Sequence, residues 1–287
     1  MTTIRTFLRT YPLAAYFVLA FGISWGGVLL LVAPHGIPGT TEQINQLFPS
    51  VYLAMLAGPS VAGILMTGLV HGKSGLRELL SRLLLWRVGA RWYAVALLAA
   101  PLLTLGVLLA LSLFSREFLP GLLASDDRGS LLVFGIAVGL GAGFFEELGW
   151  TGFATPVLRQ RYSVLVSGLI LGVLWGAWHF LVNVWGSGNW AGSLSSALFL
   201  PSILTSLALL PAYRVLMVWV HDHTGSLLVA MLMHASLTTS MVVLQPLVAG
   251  MPVVTYVLTF AAALWIVVGA VVSAGPFPRE KVREGVA

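Results

Sequence analysis

The sequence has no cysteine, which removes disulfides, thiolate metal sites and cysteine nucleophiles from consideration. Charge is nearly as scarce. Only 9% of the 287 residues are Asp, Glu, Lys or Arg, against about a quarter in a soluble domain. A chain this poor in charge cannot be wetted all round. What it has instead is apolar surface: 58% of its residues are hydrophobic and its mean hydropathy is +0.95. The fold class that follows is all-α, a polytopic membrane protein. The formal charge of +5 does not point to nucleic acid, because the basic residues sit in short segments between apolar runs, where they report topology.

A membrane span needs about 20 apolar residues. About eight candidates are present, at roughly 11–33, 48–70, 92–114, 130–155, 163–185, 194–218, 225–247 and 252–273. The run Tyr11–Val32 is longer than a signal-peptide core and lacks a clear small-residue cleavage site, so it reads as the first span. No lipidation motif is visible, and no internal repeat. The spans follow one another closely, so residues 1–287 read as a single transmembrane domain with a loose polar tail, GPFPREKVREGVA. With eight spans both termini lie on one side. All 15 basic residues except Arg116 and Arg128 then fall on that side, Arg214 among them, counted in the loop after the sixth span. That asymmetry predicts cytoplasmic termini in a bacterial or archaeal plasma membrane. The stretch Ser74–Trp92 carries Leu76, Leu79, Leu80, Leu83 and Leu84 at helical spacing with Arg77 and Arg82 between them. It reads either as an amphipathic helix in the cytoplasmic interface or as an ordinary connecting helix.

Against this background the few polar residues inside the spans stand out. Glu146 and Glu147 follow an uncharged run from Leu131 to Phe145. A carboxylate at mid-bilayer costs several kcal/mol unless it is paired, protonated or facing water, and a lipid-exposed pair is harder still. His179 sits in the fifth span with Asn183 one turn on, and His234 in the seventh with Thr238 one turn on. Counted from the cytoplasmic ends at 1.5 Å per residue, the glutamates lie about 20 Å deep, His179 about 24 Å and His234 about 14 Å. Four such groups in one slab imply one site. Gly139 and Gly143 in the fourth span, and Gly168, Gly172 and Gly176 in the fifth, form small-xxx-small seams that let helix backbones approach closely.

This set admits two chemistries. A buried glutamate can take a proton from water for peptide hydrolysis while a histidine orients that water, and His234 with the Thr238 hydroxyl can stabilise the oxyanion. Glu146, His179 and His234 are also an adequate set for catalytic zinc, although no HExxH is present. The expectation is no cofactor, with zinc as the alternative.

The order EELGW, WGAWH, HASLT across eight spans resembles the CPBP family of intramembrane proteases, which includes CAAX prenyl endopeptidases and bacteriocin-processing or Abi proteins. Its motifs EExxxR, [FW]xxxH and a histidine followed at i+4 by a small polar residue read here as Glu146-Glu147-Leu-Gly-Trp150-Thr151, Trp175-Gly-Ala-Trp-His179 and His234-Ala-Ser-Leu-Thr238. The resemblance implies a catalytic core at about 130–245 and an endopeptidase acting on a membrane-associated peptide or protein. Glu146 would activate water, Glu147 and His179 would complete the catalytic centre, and His234 with Thr238 would form the oxyanion site. Trp150, Thr151, Trp175 and Asn183 would support them. It also implies a metal-free glutamate mechanism. The motif arginine is replaced by Thr151. Either another residue fixes Glu147, with Arg159 two turns further along as a candidate, or the chain is a non-catalytic binding or immunity protein of the same fold. A proton-coupled transporter is a third reading. The residues say nothing of oligomeric state.

Overall fold

The computed structural model describes residues 2–274, with side chains from Thr6 onward. The polar tail, with Arg279, Lys281 and Arg283, and the Arg5 side chain lie outside the described residues. Among the described residues, eight helices are long and apolar enough to cross a membrane: Pro12–His35, Thr41–Leu83, Ala90–Ser112, Arg128–Arg159, Val164–Gly186, Ser196–Thr224, Leu227–Leu244 and Met251–Ser273. They are called the first to eighth spans here. Among the described residues the only extended pairing is one isolated bridge, Gly188 to Leu194, as expected where a bilayer leaves helices to satisfy their own backbone. The protein is an integral membrane protein.

Local sequence sets the helix ends. Thr40 and Gln43 form a reciprocal capping box at the start of the second span. Asp127, Ser163 and Ser226 cap the fourth, fifth and seventh spans by accepting from Ser130, Val166 and Val229 backbone N–H groups. Gly225, at φ 63°, ends the sixth span in the left-handed conformation.

The second span breaks at Gly72, where φ is 66° and ψ −155°. The helix beyond it corresponds to the expected interfacial helix but ends at Leu83 rather than near residue 92; Leu84–Gly89 is not helical and the third span begins at Ala90. Leu76, Leu80 and Leu84 remain exposed. Leu79 and Leu83 pack with Leu148, Leu227 and Met231 of the fourth and seventh spans. Helical geometry ends at Leu84, at φ −85° and ψ 0°, so the leucine spacing does not run on into the third span.

The glycine seams choose different partners. A Cβ on Gly139 or Gly143 would strike Ala235, Thr239 or the Met231 carbonyl, so the fourth span lies directly on the seventh. A Cβ on Gly168, Gly172 or Gly176 would strike Val215, Pro211 or Ser206, so the fifth lies on the sixth. Two helices carry a five-residue π turn, Trp150–Ala154 and Thr205–Leu209, and each is followed two residues later by a proline, Pro156 or Pro211. A proline cannot donate to the carbonyl four residues back and crowds it, so a widened turn relieves the conflict. The freed Gly152 carbonyl accepts from Arg82 Nη2 at 2.9 Å, which ties the interfacial helix to the segment just after the glutamates.

Candidate active site

The helix pairing carries both glutamates inward; Glu146 is 4% exposed and Glu147 is fully buried. Adjacent on one helix, they have different surroundings. Glu146 Oε2 accepts from two indole N–H groups, Trp175 Nε1 at 2.8 Å and Trp150 Nε1 at 3.3 Å. Both donors are neutral. Among the described residues its other oxygen has no hydrogen bond, and the side chain lines two cavities. Glu147 is fully engaged. Its Oε1 accepts from His234 Nδ1 at 2.7 Å. Its Oε2 accepts from Arg214 Nη1 at 2.8 Å and from the Thr151 hydroxyl. Glu147 lines neither cavity.

The imidazoles are oriented by what their Nδ1 atoms touch. His179 Nδ1 lies 2.8 Å from the Trp175 carbonyl. A carbonyl only accepts, so Nδ1 carries a proton, and in the neutral ring Nε2 is then the acceptor. His179 itself interrupts the helix between Trp178 and Phe180, which brings its ring into the cavities. His234 Nδ1 points at a carboxylate paired with an arginine, so it too carries the proton there.

Trp175 is the hub. Its N–H holds Glu146, its face lies 4.2 Å from the Arg214 guanidinium carbon, and its ring meets His234 edge-on at 5.0 Å. Trp150 stacks on Phe17 and meets Tyr16 and Trp178 edge-to-face. These contacts hold the indole donors in place with little rotational freedom.

The larger cavity has a volume of about 540 Å³ and is bordered by Glu146, Trp175, His179, Asn183, His234 and Thr238, together with Ser202, Ser206 and Gln245. A second, of about 360 Å³, is walled mainly by Phe48, Met55, Trp178, Val182 and Trp185 and shares Tyr52, Glu146 and His179 with the first. Asn183 donates to Ser206 Oγ at 2.9 Å. Of the residues singled out in the sequence, therefore, Glu146, Trp175, His179, Asn183, His234 and Thr238 share one chamber. Glu147, Trp150 and Thr151 stand behind it.

Two expectations need correction. Arg214 is not in a loop. It is fully buried in the sixth span, and it was counted with the loop residues because a single basic residue near a span end carries no depth signal in sequence. Arg159 does not reach Glu147. It forms a two-pronged pair with Asp222, Nε–Oδ1 at 2.8 Å and Nη2–Oδ2 at 3.0 Å. Sequence reading also passed over Tyr52, whose hydroxyl donates to the Val138 carbonyl at 2.5 Å. Its only advance signal was a hydroxyl in an otherwise apolar run.

Among the described residues no three His, Asp or Glu side chains stand where they could hold one metal ion. Glu146, His179 and His234 are thus not brought together as such a group.

The fold and site thus define a class: a polytopic helical membrane protein with a buried carboxylate, imidazole and guanidinium cluster opening on an internal chamber. Residues 128–240 match the family model described as Type II CAAX prenyl endopeptidase Rce1-like. A curated relative, CAAX prenyl protease 2 of Methanococcus maripaludis, is 26% identical over 152 residues, 50% of this chain and 55% of the relative. The chain spans about half the length of the curated relative it matches. Over this stretch, which carries all three motifs, the chain is similar to both.

Proposed function

We propose that this chain is an intramembrane endopeptidase of the glutamate type, with Glu146 as the general base. The observation that carries the reading is the contrast between the two glutamates. Glu147 is neutralised by Arg214 and saturated with donors. Glu146 is held by neutral indoles at one oxygen and presents the other to the chamber. A water between Glu146 and His179 Nε2 would donate to both and direct its lone pair at a peptide carbonyl. The attack transfers the water proton to Glu146 as the C–O bond forms. Collapse of the tetrahedral intermediate breaks the C–N bond, and the same proton goes to the leaving amine. The Thr238 hydroxyl, and His234 when protonated at Nε2, supply donors for the oxyanion, with Glu147 balancing the imidazolium. No step needs a metal.

The mainly apolar second cavity suits a substrate that enters from the bilayer. The names of the matching family and relative make prenylated C-terminal peptides the first substrates to test. The non-catalytic reading is not favoured, since a mere binding pocket gives no reason to leave one buried carboxylate unneutralised beside a fully compensated one. Glu146→Gln in purified, detergent-folded protein should abolish cleavage of a farnesylated peptide panel and of membrane peptides from the host. Wild-type turnover in that variant would refute the assignment.

A further inference from the structure

The Arg214 guanidinium is fully buried, and among the described residues two of its nitrogens, Nε and Nη2, have no hydrogen-bond partner. Burying a cation on these terms is costly, and packing alone does not call for it. Among the described residues its one ion pair goes to Glu147 Oε2. The Thr151 hydroxyl, one turn beyond Glu147 on the same helix, donates to that same oxygen. Side chains from position 151 and position 214 therefore converge on one atom from two helices. Gly172 makes this possible: a Cβ there would stand 3.2 Å from Arg214 Cβ, so the fifth and sixth spans meet with no side chain between them.

We infer that Arg214 is a positioning residue, and that it has taken over from across a helix interface the task that a cation at position 151 would perform. It acts through Glu147. With Oε2 occupied by Arg214, the carboxylate turns Oε1 to His234 Nδ1 at 2.7 Å, which fixes the ring with its Nδ1 proton on Glu147 and Nε2 on the side away from it. What the site requires is a positive charge at Oε2, whichever backbone supplies it. Thr151 in the motif is then compensated by Arg214 and does not mark a lost activity. The activity arm of this inference rests on the peptidase reading; the spectroscopic arm does not.

The test moves the cation. Arg214→Ala vacates the space beside Glu147 Oε2, and Thr151→Arg places a guanidinium where it can fill that space. In full-length protein in detergent, NMR of labelled histidine nitrogens, with the His234 signal assigned by its loss in His234→Gln, should show His234 Nδ1 protonated and hydrogen-bonded, as its contact with Glu147 requires. Arg214→Ala should change that pattern and lower any peptidase rate about 100-fold, the cost of a misplaced reactive group. Adding Thr151→Arg should restore both the pattern and most of the rate. If the single variant fails to accumulate folded, recovery of folded protein and of the His234 pattern in the double variant supports the inference equally. An unchanged His234 pattern in Arg214→Ala, or a double variant no better than the single, overturns it. If the tautomer follows the cation but nothing is cleaved by any variant, the positioning role stands and the peptidase reading fails.

Discussion

Gly143 offers a sharp test of how the site is held, because it has no side chain to take part in the chemistry. It lies one turn before Glu147 and packs on the seventh span one residue from His234. A methyl group there would sit 2.9 Å from the Ala235 nitrogen and 3.0 Å from Ala235 Cβ, and closer still to the Met231 carbonyl. Ordinary contact begins at 3.4 Å, so Ala235 would have to retreat by about half an ångström and the carbonyl by more. These are backbone atoms and cannot swing aside, so the two helices must part. The bond from His234 to Glu147, at 2.7 Å, would then stretch beyond 3.2 Å, the upper end of normal hydrogen bonding. Gly143→Ala should cost about 1–3 kcal/mol of stability as overpacking and lower peptidase turnover about 100-fold through misplacement of the histidine. Gly106→Ala is the control. Nothing lies within 4 Å of a Cβ there, so it should be neutral or stabilising by up to about 1 kcal/mol. Thermal unfolding in detergent, read beside cleavage of a reporter peptide, measures both. If Gly143→Ala matches Gly106→Ala in both assays, the fourth and seventh helices do not position this site.

Trp175→Phe keeps the ring and removes the N–H that Glu146 accepts. Cleavage should fall about 10- to 100-fold with little loss of folded protein, and an unchanged rate would show that the indole donor does not orient the base. Arg159→Met strands Asp222, a partly buried carboxylate that loses both of its guanidinium bonds. It should lower the unfolding midpoint by an amount equivalent to about 1.5–3 kcal/mol while leaving turnover per folded molecule intact. Loss of activity without loss of stability would contradict that separation. On the metal-free reading, activity should survive dialysis against a strong chelator; inactivation reversed by added zinc would refute the glutamate mechanism.

Much of this protein follows from local information. Span number and helix class come from the length of the apolar runs and the scarcity of charge, because a bilayer penalises every unpaired polar group in the same way wherever it lies. Glu146, His179 and His234 were conspicuous for the same reason: a titratable group within an apolar run is rare enough to be noticed one residue at a time. What sequence could not decide was the pairing of faces. Only in three dimensions do the two glycine seams choose different partners, the fourth span lying on the seventh and the fifth on the sixth. That choice separates the two adjacent glutamates, giving Glu147 an arginine and leaving Glu146 open to the chamber. It also makes Arg214 a site residue although it stands 67 positions from its partner. Helical periodicity reports which face of a helix is apolar. Which neighbour meets that face depends on where backbones can approach, and tertiary packing alone settles it.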